Sequence, residues 1–353
     1  MSDERLERVG WQRWPELSRL DTARVGSPRD RRAALVAAAE AVRERFVEGR
    51  VEALSSHTLV SFPYPSKYAL RDALEAPWPY VCLTNRVFIV KYLDFQGKRR
   101  VLVVSPSDVD RNGETPFFKG LVAKFGAARG VAEKVISRRG VSVVEALAKA
   151  GVAPGEVDFI TYDHLHTQDL RGWMGPGGLF PRARLLVMRA EWEALAGLSA
   201  PQEPWYCPGG AEGIRAERVV ELDGSVVLGP GVMLVATPGH TEGNHSIVLS
   251  SALGVTVTSE NGVCADSYAP GASRIPGLRA YARTGMDIVL NGNTLERGLD
   301  QYLSMVVERT LAGPSRVDGF PNMLMSSELT PSWYAPGLRA GMAFGDVAVG
   351  GAA

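Results

Sequence analysis

The chain has 353 residues, 45% of them hydrophobic, with 39 basic and 39 acidic side chains and a formal net charge of zero. Such a length and apolar content can bury a large core, in one large domain or two modest ones, and exclude a chain that is disordered throughout. Balanced charge gives no reason to expect a polyanion, so nucleic acid is not an expected partner, and the short clusters "RDRR" (29–32) and "GKRR" (97–100) read as solvated helix or turn faces.

The cysteines Cys82, Cys207 and Cys264 are odd in number and far apart, which argues against a disulfide framework and fits a reducing compartment. The N-terminus "MSDERLERVGWQRW" is charged and lacks an apolar secretory core. No apolar run of about 18 residues follows, so a soluble, cytoplasmic chain with no membrane partner is expected.

Residues 1–75 read as an N-terminal extension: a helix in "RDRRAALVAAAEAVRERFVEG", then the Pro- and Ser-rich "SSHTLVSFPYPSKYAL", an irregular segment. From Tyr80, "YVCLTNRVFIVKYLDF" and "GKRRVLVVSPSD" predict two antiparallel strands joined at Gly97. Residues 115–150 read as mostly helical, with Thr115 as N-cap and Pro116 in the first turn. "GVAPGEVDFITYDHLH" turns into a short strand that ends at two histidines. The Gly-rich "GWMGPGGLFP" lacks the Lys-Ser/Thr of a phosphate loop and reads as a turn bordering the cleft.

A strand "ARLLVMR" and a helix "AEWEALAG" come next. Strands in "RVVELDG", "VVLGPGVMLVAT", "HSIVLSSALGVTVTSE" and "DIVLNG" then precede the helix "LERGLDQYLSMVVERTLAG". Strands and helices mixed in this order predict two sheets covered by helices. Residues 313–353, rich in Gly, Pro, Met and aromatics, read as a tail that covers a cleft or ends in disorder.

His164 and His166, two residues apart at a strand end, share a face, as two metal ligands require. His240 and His245 sit in "ATPGHTEGNHSIVLSS". Four of the five histidines thus lie in two segments, which packing alone does not explain.

"VDFITYDHLHTQDLRGW" resembles the HxHxDH segment of the metallo-β-lactamase superfamily, and "TPGHTEGNHSIVL" resembles its third-histidine motif. Further segments agree in order and spacing over roughly residues 80–312. The resemblance implies an α/β fold, a four-layer αβ/βα sandwich of two mixed sheets flanked by helices, over residues 76–312. It makes His164, His166 and His240 metal ligands and puts Glu260 in the slot of a bridging aspartate. Gln168 and Asp169 stand where the superfamily has Asp-His, and Asn293 stands where it has a last histidine.

Neutral amides are poor ligands, so one tightly bound ion is favoured over a dinuclear centre in which Asp169 and Glu260 hold a weak second ion. Zinc is the expected ion; iron or manganese would suit the same donors. Such a centre implies hydrolysis of a small acyl substrate (an ester, thioester, lactone or amide) by metal-activated water, with Asp169 or Glu260 handling the proton or the metal sufficing alone at some cost in rate.

The other residues near these motifs have plainer readings. Asp169 could instead be an acid at a helix N-terminus. Gln168 and Asn293 either orient substrate or water or are simple ligand losses, and His245 supports its loop. His57 and Cys264 read as structural, and Asp266 and Tyr268 lie on a loop that could reach the cleft. The alternatives are a single-iron oxidoreductase on the same fold and a non-catalytic binding protein that keeps a metal remnant.

Overall fold

The computed structural model describes residues 3–75, 77–124, 137–292 and 297–351. The strands are β1 (Ala53–Pro65), β2 (Tyr80–Leu93), β3 (Arg99–Val104), β4 (Arg138–Arg139), β5 (Phe159–Thr161), β6 (Arg184–Met188) and β7 (Val219–Leu222), followed by β8 (Val226–Gly229), β9 (Val232–Ala236), β10 (His245–Ser251), β11 (Gly254–Thr258), β12 (Ser327–Thr330) and β13 (Ala348–Gly350).

The larger sheet runs β13-β1-β2-β3-β5-β6-β7, with β12 also pairing β2 and β4 pairing β1. It is antiparallel from β13 to β3 and parallel from β3 to β7. The smaller sheet, β11-β10-β9-β8, is antiparallel throughout.

Near-continuous apolar runs such as "VFIVKYL" in β2 and "LLVM" in β6 suit strands covered on both faces. Phe88, Val90, Leu102 and Leu186 of the larger sheet meet Leu228, Leu234, Ile247 and Leu249 of the smaller one in a core between the sheets. On the outer face of the larger sheet, Val87, Ile89, Val103 and Ile160 pack on the helix Val143–Lys149. On the outer face of the smaller sheet, Val235, Val248 and Val257 pack on the helices Pro15–Ala23, Arg31–Phe46 and Gly298–Ala312. These are the four expected layers.

The expected boundaries at 75/76 and 312/313 do not divide the fold. The segment read as irregular is β1, the partner of β2 along its whole length, and the tail supplies β12 and β13. Pro63 and Pro65 masked the strand, yet they lie where only β2 flanks β1, an open edge that tolerates a missing N–H. A buried ion pair, Arg86 to Glu328 at 2.8 Å, fastens β12 to β2.

The pair β2 and β3 forms as predicted. The helical reading of 115–150 holds for Pro116–Ala123 and Val143–Lys149, with 125–136 outside the described residues, but Arg138 and Arg139 pair with β1 instead. Thr115 occupies the N-cap position without a side-chain cap bond. The strand expected at "DIVLNG" joins no sheet; its amides bond outward, Val289 to Ser267 and Asn291 to Asn261.

Candidate metal centre

The parallel strands deliver the site, because loops leaving their carboxyl ends gather at one edge of the sheet. β5 is three buried residues, "FIT", and its Thr161 hydroxyl donates to Leu186 O at 2.8 Å and lies 3.0 Å from His245 Nε2. The His245 amide then bonds Asp163 O at 2.8 Å, which ties the loop after β5 to the first residue of β10. Burial pushes the His245 imidazole down to about 4.

His164 and His166 follow on this loop. His240 arrives from the other sheet, on the turn after β9, where the helix Gly298–Ala312 passes close: a Cβ on Gly239 would lie 2.2 Å from Gln301 Cα. The His240 amide donates to Asn261 Oδ1 at 2.9 Å, and Asn261 Nδ2 donates to the buried Glu308 at 2.6 Å. Glu308 also accepts from Ser246 and Tyr268, so this helix braces the third histidine.

The ligating atoms of His164, His166 and His240 all lie within 4.8 Å of one another, and all three residues are buried. Both ring nitrogens of His166 are buried without a hydrogen-bond partner. Leaving them so is costly, because burying an unbonded polar group forfeits its hydration. Burial and the neighbouring imidazoles hold His166 well below its ordinary value, so it presents a lone pair. Burial does the same for His240. Burial also opposes charge on His164, but Asp163, 3.2 Å from Nδ1, carries it up to about 9. Two neutral imidazoles and a third oriented by a carboxylate fit a transition-metal ion.

Glu260 lines the same cavity as His164 and His166 but is not in the donor group. Its amide bonds Asp163 Oδ2 at 2.6 Å and its carboxyl accepts from Ser326 at 3.1 Å. Burial, then the charge of Asp163, raises its carboxyl above the ordinary range.

Asp169 is also absent from the donor group, against the expectation for it. Its carboxylate takes a fork from Arg171 Nε and Nη2, at 3.1 and 2.5 Å, and faces Cys207. Burial would raise it, but Arg171 holds it below the usual carboxylate range. Gln168 lines the cavity, with Oε1 accepting from Ser107 and Asn112 at 3.2 Å each. Asn293 lies outside the described residues.

Of the plainer candidates, Cys264 is buried, Tyr268 turns to Glu308, and Asp266 accepts from Ser273 and the Gly341 amide. The loop "GWMGPGGLFP" does not line this cavity; Arg218 binds its carbonyls instead.

Sequence reasoning missed Asp163, Glu191, Asn261 and Glu308. Only Asp163 carries a readable signal, as an acid directly before the first histidine.

The cavity has a volume of about 780 Å³, within the range of small-ligand sites. One wall is apolar, with Phe117 stacked on Trp205 at 4.3 Å and Phe62 edge-on to Phe118 at 5.8 Å. Among the described residues no helix is long and apolar enough to cross a membrane.

No family profile matches the chain. An N-acyl homoserine lactonase of a Bacillus species is 30% identical over 109 residues, 31% of this chain and 39% of the relative. The N-acyl homoserine lactonase of Bacillus cereus is 28% identical over the same shares. The chain thus spans about two-fifths of the length of these curated relatives.

Among solved structures, a probable metal-dependent hydrolase from Staphylococcus aureus matches with a TM-score of 0.52 and 12% identity, over 72% of this chain and 84% of that one. A dizinc quorum-quenching lactonase in complex with an N-hexanoyl-L-homoserine product matches with a TM-score of 0.51 and 14% identity, over 86% and 96%. At these identities the likeness concerns the fold. The chain thus has the fold that the metallo-β-lactamase resemblance implied, with a histidine pair beyond β5 and a third histidine beyond β9.

Proposed function

We propose that the chain is a metal-dependent hydrolase that opens a small lactone bearing an apolar acyl group, with one ion per chain. The observation that carries this reading is the buried trio of imidazoles, with His166 unpartnered, two of which, His164 and His166, line a ligand-sized cavity. The lactonase relatives point to the substrate class.

A zinc ion held there supplies a Lewis acid that polarises an ester carbonyl and acidifies water. The aromatic wall of Phe62, Phe117, Phe118 and Trp205 takes the acyl group, each buried methylene contributing about 0.8 kcal/mol. Gln168 cannot take a proton; with Oε1 occupied by Ser107 and Asn112, it offers its Nε2–H groups to a substrate oxygen. Proton movement falls to Glu260, whose raised carboxyl would give its proton to the leaving ring oxygen and recover one from the attacking water. One ion is favoured because Arg171 already neutralises Asp169, the other acid of the motif.

The test is metal analysis of protein purified without chelators, alongside hydrolysis of N-acyl homoserine lactones. We expect one equivalent of zinc and ring opening, both lost in His166→Ala. A His166→Ala protein that loses the ion yet keeps full hydrolysis would refute the proposal. So would iron-dependent oxygen uptake without hydrolysis, or protein that holds no metal.

A further inference from the structure

We infer that Glu191 is a positioning residue whose buried carboxylate clamps the two histidine loops together and complements the positive charge they collect. The inference rests on the metal-centre reading above. Glu191 lies in the first turn of the helix Arg189–Ala194, directly after β6, the parallel neighbour of β5, and is 1% exposed.

Its Oε1 accepts from the Leu165 amide at 2.8 Å and from Tyr206 Oη at 3.2 Å; its Oε2 accepts from Thr241 Oγ1 at 2.6 Å. Leu165 stands between His164 and His166, and Thr241 directly follows His240. Tyr206 packs edge-on to the His166 ring at 4.8 Å. One carboxylate therefore grips the backbone of the histidine pair, the residue beside the third histidine, and the ring that backs His166.

The fit is tight. A Cβ on Gly243 would fall 2.1 Å from the Glu191 amide nitrogen, so the loop carrying His240 runs flush against the start of this helix. The donors named here are all neutral, and a neutral side chain of the same shape could accept most of these bonds. A buried carboxylate without a cationic partner is expensive, so its charge needs a counterpart. An ion gathered by the histidine trio supplies one.

The test is zinc affinity by competition with a chromophoric chelator, read beside the melting temperature of the metal-free protein. Glu191→Gln keeps the shape and removes the charge; Thr241→Val keeps the shape and removes one strut. Each is expected to weaken zinc binding about 10-fold or more, as loss of a partner behind metal ligands typically does, with little change in metal-free melting. The double variant is expected to lose less than the product of the two, because both act on one bond.

Zinc affinity within twofold of wild type in both single variants overturns the inference, whatever happens to melting. Should Glu191→Gln fail to fold, Thr241→Val decides alone. A wild-type protein that binds no zinc overturns the metal-centre reading itself and is recognised without any variant.

Discussion

Replacing Asp163 by Asn removes a charge and almost no volume from the base of the first histidine loop. In the wild type one carboxylate oxygen accepts from the Glu260 amide at 2.6 Å and the other faces His164 Nδ1 at 3.2 Å. That second contact keeps a proton on Nδ1 and turns the lone pair of Nε2 toward the other histidines. Asn retains an acceptor for only one of these donors. If the Glu260 amide keeps it, the Asn amide faces His164 and favours the tautomer protonated on Nε2, the nitrogen an ion needs.

Groups that orient a ligating imidazole from behind are typically worth about one to two powers of ten in metal affinity. The expected rise in zinc Kd for Asp163→Asn is therefore about 10- to 100-fold. Chelator competition near neutral pH measures it, and lactone opening should recover as free zinc is raised. A folded Asp163→Asn protein with wild-type zinc Kd would refute the claim that this carboxylate sets the tautomer of His164.

Three further outcomes are expected. Phe117→Ala removes the ring stacked on Trp205 and should raise KM about 10-fold for long acyl chains, a loss in the range of one aromatic contact, while short chains change little; steady-state kinetics across a chain-length series checks this. Arg218→Met strips the guanidinium from the carbonyls of Met174, Phe180 and Ala183, and three buried acceptors left unbonded should cost about 3–5 kcal/mol, read as a lower denaturant midpoint at unchanged slope.

Asp169→Asn tests the Arg171 pair through pH. A carboxyl held below its ordinary 3.8 contributes stability that is present above that value and lost as pH falls through the folded-state value. The stability gap between wild type and variant should be full near pH 6 and close below about pH 4; a gap independent of pH would show that the pairing is not electrostatic.

The histidine trio was legible because each histidine sits just past a strand, and strand ends announce themselves by an apolar run breaking into polar residues. β2, β3 and the helix Gly298–Ala312 were readable for the same reason: local pattern and tertiary environment agree. β1 was missed because serines and prolines dilute its alternation, and it is β2 that makes it a strand.

Glu191 and Glu308 were invisible for a different reason. In sequence they are ordinary acids on helices, one in the first turn of "RAEWEA" and one within "VVERT". Only the packing of those helices beneath the histidine loops turns them inward. Asp169 misled in the opposite sense: its place in the motif suggested a ligand, while Arg171 two residues later takes its charge.

The pairing of β12 with β2 has a consequence for how the chain comes to be folded. More than two hundred residues separate these neighbours; Ser326, which reaches Glu260, directly precedes the later one, and Ser327 at the cavity wall begins it. At typical elongation rates of roughly 5–20 residues per second, β2 waits tens of seconds on the ribosome for its partner. Through that interval a long apolar strand lacks a neighbour that belongs beside it, the condition in which nascent sheets capture the wrong partner. The ligand cavity is thus among the last parts of the molecule to be completed, and variants that weaken the Arg86–Glu328 link should lower the yield of folded protein before they alter the metal centre.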